Sequence, residues 1–110
     1  MNKLKMTLVA FTALALTSSA AFALDEAARN ALLKDSKCTK CHAPDKKKDG
    51  PSYKETAAKY KGKADAEKKV YDVITTGPKV KIDGNEEAHV KIKSTNDADI
   101  KAVVTWILAQ

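Results

Sequence analysis

The sequence predicts a small all-α domain of about four helices, with one short hairpin between the third and the last. Three observations carry this. Apolar residues recur at spacings of three and four in separate stretches of the chain. Capping and stop residues stand where those stretches begin and end. The only alternating pattern is confined to one short segment, residues 79–93.

Asp25 can cap a first helix running through Ser36, with Ala28, Ala31 and Leu32 at i, i+3 and i+4. Ser52 to Tyr60 carries Tyr53, Ala57 and Tyr60 along one face, and Lys61-Gly62 ends that helix. A third helix runs from about Asp65 to Thr76, with Val70, Val73 and Ile74 together and Gly77-Pro78 as its stop. For the last helix, Asn96 is the N-cap and Asp99 lies in the first turn. Its stripe, Ile100, Val103, Val104, Ile107 and Leu108, is continuous and is expected to pack on the first helix.

Between them, Lys79-Val80-Lys81-Ile82-Asp83 and His89-Val90-Lys91-Ile92-Lys93 alternate polar with apolar. With residues 84–88 as the connection they read as a small hairpin, the alternative being an extended loop around the edge of a bound group.

The chain begins with the features of an export signal. Lys3 and Lys5 form a basic start, Met6 to Leu16 is apolar, and Ala21-Phe22-Ala23 has the small-x-small form of a cleavage site. Residues 1–23 are therefore expected to be removed, giving a mature domain of residues 24–110 and a periplasmic location. The apolar run is broken by threonines and serines and is short for a bilayer span. Of the 20 lysines and arginines, Lys3 and Lys5 lie in this segment, which leaves 18 against 14 acidic residues, a formal charge of +4. A domain this small buries a modest core, so a large apolar group held covalently would supply much of what the chain lacks.

Cys38-Thr39-Lys40-Cys41-His42 is the motif that carries chemistry. Two thiols and an adjacent imidazole at this spacing describe covalent attachment of haem c, each cysteine adding to one vinyl group and His42 binding the iron. A thioredoxin-like pair would be expected near a βαβ pattern, which the sequence lacks. A structural zinc site would need more ligands, and no third cysteine is present. A disulfide across two residues would close too short a loop to staple a fold.

From this motif onward the chain resembles the short bacterial class I cytochromes c of the c-551/c-552 type. The matching residues are Cys38 to His42, Gly50-Pro51-Ser52-Tyr53-Lys54, and Trp106-Ile107-Leu108. The resemblance implies an all-helical fold around one haem and electron transfer rather than catalysis. It also implies that the Pro51 carbonyl accepts a hydrogen bond from the proximal imidazole, and that Trp106 borders the haem and reaches a propionate through its indole N–H.

The departure from that family is a missing sulfur. Its members usually place a methionine on the iron from the loop before the last helix, whereas the only methionines here are Met1 and Met6. The corresponding loop holds His89, the only histidine besides His42. The expected iron ligands are therefore His42 and His89, giving a low-spin haem of relatively low potential. In a regular strand His89 would share a face with Lys91 and Lys93, so the chain must bend there or those lysines must lie at a solvent edge.

Lys40, Lys46, Lys47, Lys48, Lys54, Lys79, Lys81, Lys91 and Lys93 flank the segments expected around the haem. They favour redox partners with an acidic docking face, in small and transient contacts. Nucleic acid is disfavoured, because the aromatics are few and not interleaved with the basic run. A monomer or weak dimer is expected. The reading of a different class is a haem-based ligand binder or peroxidase-like enzyme with an open distal iron site.

Overall fold

The computed structural model describes residues 24–110; the expected signal segment and its cleavage site lie outside the described residues. The element order is α1 (Glu26–Asp35), α2 (Cys38–Cys41), α3 (Tyr53–Tyr60), α4 (Ala66–Thr76), β1 (Lys79–Ile82), β2 (Asn85–Ala88) and α5 (Asp97–Leu108). The expected helices are present, and α2 adds a single turn at the cysteine motif. No helix among the described residues is long and apolar enough to cross a membrane.

Each long helix starts or stops for a local reason. The Asp25 carboxylate accepts from the Ala28 N–H at 2.7 Å and opens α1. At α3 the Ser52 hydroxyl accepts from Glu55 N–H at 3.1 Å while the Glu55 carboxylate accepts from Ser52 N–H at 2.9 Å, a reciprocal capping box. Gly77 ends α4 in the left-handed conformation, with φ at 62°. The Asn96 side chain accepts from Ala98 and Asp99 N–H at 3.0 and 3.3 Å and opens α5.

The core is built around α5. Ile100, Val103, Val104 and Ile107 are buried with Leu33, Tyr53, Val70 and Ile92, as the stripe on the last helix requires. α5 packs against three helices. Its close main-chain neighbours are α3 and α4, while α1 packs on the same core through Leu33 and Leu32, as expected, and through Arg29, whose guanidinium lies 4.3 Å from the Trp106 ring centre. The buried face of α1 differs in part from expectation. Ala28 and Ala31 are exposed, Leu32 packs half-buried against the core as expected, and the face turned inward also carries Arg29, Leu33 and Ser36 at i, i+4 and i+7.

The hairpin is real but closes earlier than the alternation suggests. β1 and β2 are antiparallel, with Lys79 opposite Ala88 and Ile82 opposite Asn85. The turn is Asp83-Gly84, both residues at positive φ, 50° and 80°. This two-residue turn matches the right-handed twist of the strands, which a five-residue connection does not impose. Residues 89–93 consequently lie beyond the hairpin rather than in its second strand.

Candidate functional site

Lys37, at φ 63°, turns the chain sharply out of α1 and into the one-turn helix α2, which ends at His42. The loop after it doubles back. Gly50 N–H donates to Cys41 O at 2.9 Å and Tyr53 N–H to Ala43 O at 3.0 Å, which lays Gly50-Pro51 against the His42 ring. Gly50 must lack a side chain there, since a Cβ would stand 2.5 Å from His42 Cε1.

His42 Nδ1 lies 2.6 Å from the Pro51 carbonyl. A carbonyl can only accept, so Nδ1 carries the proton and Nε2 is the nitrogen left with a lone pair for a metal. His89 Nδ1 lies 2.7 Å from the Val90 carbonyl, and the same argument frees its Nε2. The two ring centres are 6.1 Å apart and their planes are inclined at 38°.

His42 and His89 share a cavity of about 450 Å³. Its walls come from α3, α4, α5 and the hairpin: Val70, Val73, Ile74, Val80, Val103 and Ile107 supply much of the apolar lining, and Cys38 lies at its edge. Burial pushes the Cys38 thiol above its ordinary pKa, the Cys41 thiol adding to the rise and a backbone hydrogen bond opposing it. Neither Cys38 nor Cys41 is in a disulfide.

Tyr53 backs the proximal side. Its ring stacks on His42 at 5.6 Å, and its buried hydroxyl has no partner among the described residues. That hydroxyl is also pushed up to about 12, by burial first and then by the neighbouring Cys38 thiol.

Trp106 is not among the side chains lining the cavity. Its ring packs edge-on against Tyr53 at 5.0 Å and under Arg29, and Tyr53 is itself a lining residue of the cavity. Trp106 and Ile107 are consecutive on α5 and so point about 100° apart; Ile107 is the one turned into the cavity. The signal for Tyr53 was present in the sequence, directly after Gly50-Pro51-Ser52.

A haem fits these residues. The lining is mostly apolar, as a porphyrin face requires, and the buried Tyr53 phenol has no polar partner among the described residues. Imidazole nitrogen binds a first-row metal at about 2.0 Å and the ring centre lies roughly 1.1 Å beyond, so an iron shared by two imidazoles sets their centres about 6 Å apart. The zinc alternative finds no support, since no group of three or more metal-ligating side chains occurs among the described residues.

A sequence model of the Cytochrome c family matches residues 27–110. The chain belongs to the cytochrome c family. Cytochrome c-551 of Allochromatium vinosum is 38% identical over 105 residues, covering 91% of this chain and 98% of the relative. Cytochrome c2 of Rubrivivax gelatinosus is 37% identical over 76 residues, 64% of this chain and 84% of the relative. Among solved structures, the class 1 cytochrome MtoD of Sideroxydans lithotrophicus ES-1 superposes with a TM-score of 0.72 at 50% identity, covering 79% of this chain and 97% of that one. Cytochrome c552 of Nitrosomonas europaea gives 0.57 at 33% identity, covering 72% and 95%.

This small class I cytochrome c is thus a monohaem electron-transfer protein that carries haem c covalently through its Cys38, Cys41, His42 motif.

Proposed function

We propose that this cytochrome is a periplasmic carrier of single electrons whose iron is held between His42 and His89. The observation that carries the proposal is the pairing of the two imidazoles in one mostly apolar cavity, 6.1 Å between centres. When bound, the haem supplies a one-electron ferric–ferrous couple. The Pro51 carbonyl fixes the tautomer and ring orientation of His42, and the Val90 carbonyl does the same for His89. Two strongly donating imidazoles favour the ferric state, which places the potential below that of the same protein with methionine at position 89.

With His42 and His89 both holding it, the iron would offer no open position to a substrate, which argues for electron transfer over ligand binding or peroxidase chemistry. Trp106 acts behind Tyr53, holding the ring that stacks on His42. The leader is residues 1–23, with Leu24 the first mature residue.

The lysines at 40, 46, 47, 79, 81, 91 and 93 are all exposed, and they suit an acidic face on the redox partner. Lys48 is held to the Thr39 carbonyl at 2.7 Å and Lys54 pairs with Asp45, so these two are less available for docking.

The test is His89→Ala in the haem-loaded protein. The variant should turn high-spin in the ferric state and bind carbon monoxide rapidly when reduced, whereas the parent protein should do neither. An unchanged ferric spectrum in His89→Ala would assign the distal position to another group.

A further inference from the structure

The distal histidine follows the hairpin, but its backbone is set by the end of α4. His89 N–H donates to Pro78 O at 2.8 Å, and Ile92 N–H donates to Ile74 O at 2.8 Å. Between these two bonds the His89 carbonyl is pressed onto Gly77. A Cβ on Gly77 would stand 2.6 Å from His89 O and 3.1 Å from Lys91 Cγ.

The lysine stem could swing away. The carbonyl could not, because it belongs to a backbone fixed on both sides. Lifting it would rotate the peptide between His89 and Val90, and the Val90 carbonyl is the group that holds His89 Nδ1 at 2.7 Å. Backbone and ring would therefore move together.

We infer that Gly77 is the positioning residue for the distal ligand: the absence of a side chain at this helix terminus lets the His89 carbonyl seat against α4 and so fixes how its imidazole is presented to the cavity. This inference rests on His89 as the iron ligand and adds what places it. Gly77 also sits at φ 62°, a conformation that disfavours any side chain. Its positioning role must be separated from that cost. Gly62 provides the control, at φ 76° with no atom near a Cβ built there.

The experiment compares Gly77→Ala with Gly62→Ala in the haem-loaded protein. Both should lose thermal stability through the left-handed backbone. Only Gly77→Ala should take up carbon monoxide faster in the reduced state, by about tenfold or more, because a badly seated ligand leaves the iron more often. Its ferric magnetic resonance spectrum should also broaden or shift. Gly77→Asn tolerates the left-handed conformation better and carries the same Cβ, so it must behave likewise even if Gly77→Ala folds poorly.

Parent-like carbon monoxide uptake in the Gly77 variants, or equal acceleration in Gly62→Ala, would overturn the inference. If His89→Ala retained the parent's ferric spectrum, the failure would instead lie with His89 as ligand.

Discussion

The Ser36 hydroxyl accepts a hydrogen bond from the backbone N–H of Lys93 at 2.8 Å, joining residues 57 positions apart. Ser36 is the C-cap of α1, two residues before the first cysteine of the haem motif, and Lys93 lies four residues after His89. One side-chain oxygen thus ties the segment leading into the proximal site to the segment leaving the distal one. Ser36 is only 2% exposed, so water cannot easily replace it.

Ser36→Ala should destabilise the haem protein by about 1–3 kcal/mol, the cost of leaving a part-buried donor unpaired. Chemical denaturation measures this, and amide exchange at Lys93 should quicken in the same variant. Unchanged midpoint and unchanged protection would show that the bond carries no weight.

Gly50→Ala should be destabilising by about 1–3 kcal/mol, since the new methyl group meets a ring that the Pro51 carbonyl already holds. The ferric spectrum should shift with it, because the His42 ring must tilt. Thermal melting with parallel absorbance spectra would check both, and a parent-like spectrum would argue that the loop, not the ring, gives way.

Ile100→Ala removes a buried side chain from the α5 stripe and should cost about 2–5 kcal/mol. Denaturant titration is the measurement. A loss near zero would mean that the helix is not seated as described.

Tyr53 sets an alkaline limit. Burial raises its phenol to about 12 in the folded protein against an ordinary value near 10, so between those values the unfolded chain has lost a proton that the folded one keeps. Stability from this group is complete below pH ~10 and is lost as pH rises through about 12. Unfolding free energy measured across this window should fall more steeply in the parent than in Tyr53→Phe. Parallel curves would remove Tyr53 from the account.

If the lysine surface docks an acidic partner, electron exchange with an anionic redox protein should slow by about tenfold as salt rises from roughly 0.01 to 0.3 M. Stopped-flow traces at the two salt concentrations decide it, and a rate independent of salt would speak against electrostatic docking.

The sequence was legible where one residue has one job. The haem motif, the Asn96 cap and the Gly77 stop each act through local chemistry, and each is found where its residue type demands. It was less legible where the inward face is polar or the pairing is not alternating. The buried face of α1 carries Arg29 and Ser36, which a search for apolar spacing passes over in favour of Ala28 and Ala31. The second strand, Asn85 to Ala88, has no alternation to detect, and the decisive signal was the Asp83-Gly84 turn. Trp106 does not line the cavity whereas Ile107, the next residue on α5, does, because neighbouring positions on a helix face different ways.

The central claim is that the iron lies between His42 and His89. Near-infrared magnetic circular dichroism of the ferric haem-loaded protein tests it directly, because the energy of the charge-transfer band reports the axial pair. The account predicts a low-spin, bis-imidazole band that disappears in His89→Ala. A band of imidazole–amine type, or a high-spin spectrum in the unmodified protein, would contradict it.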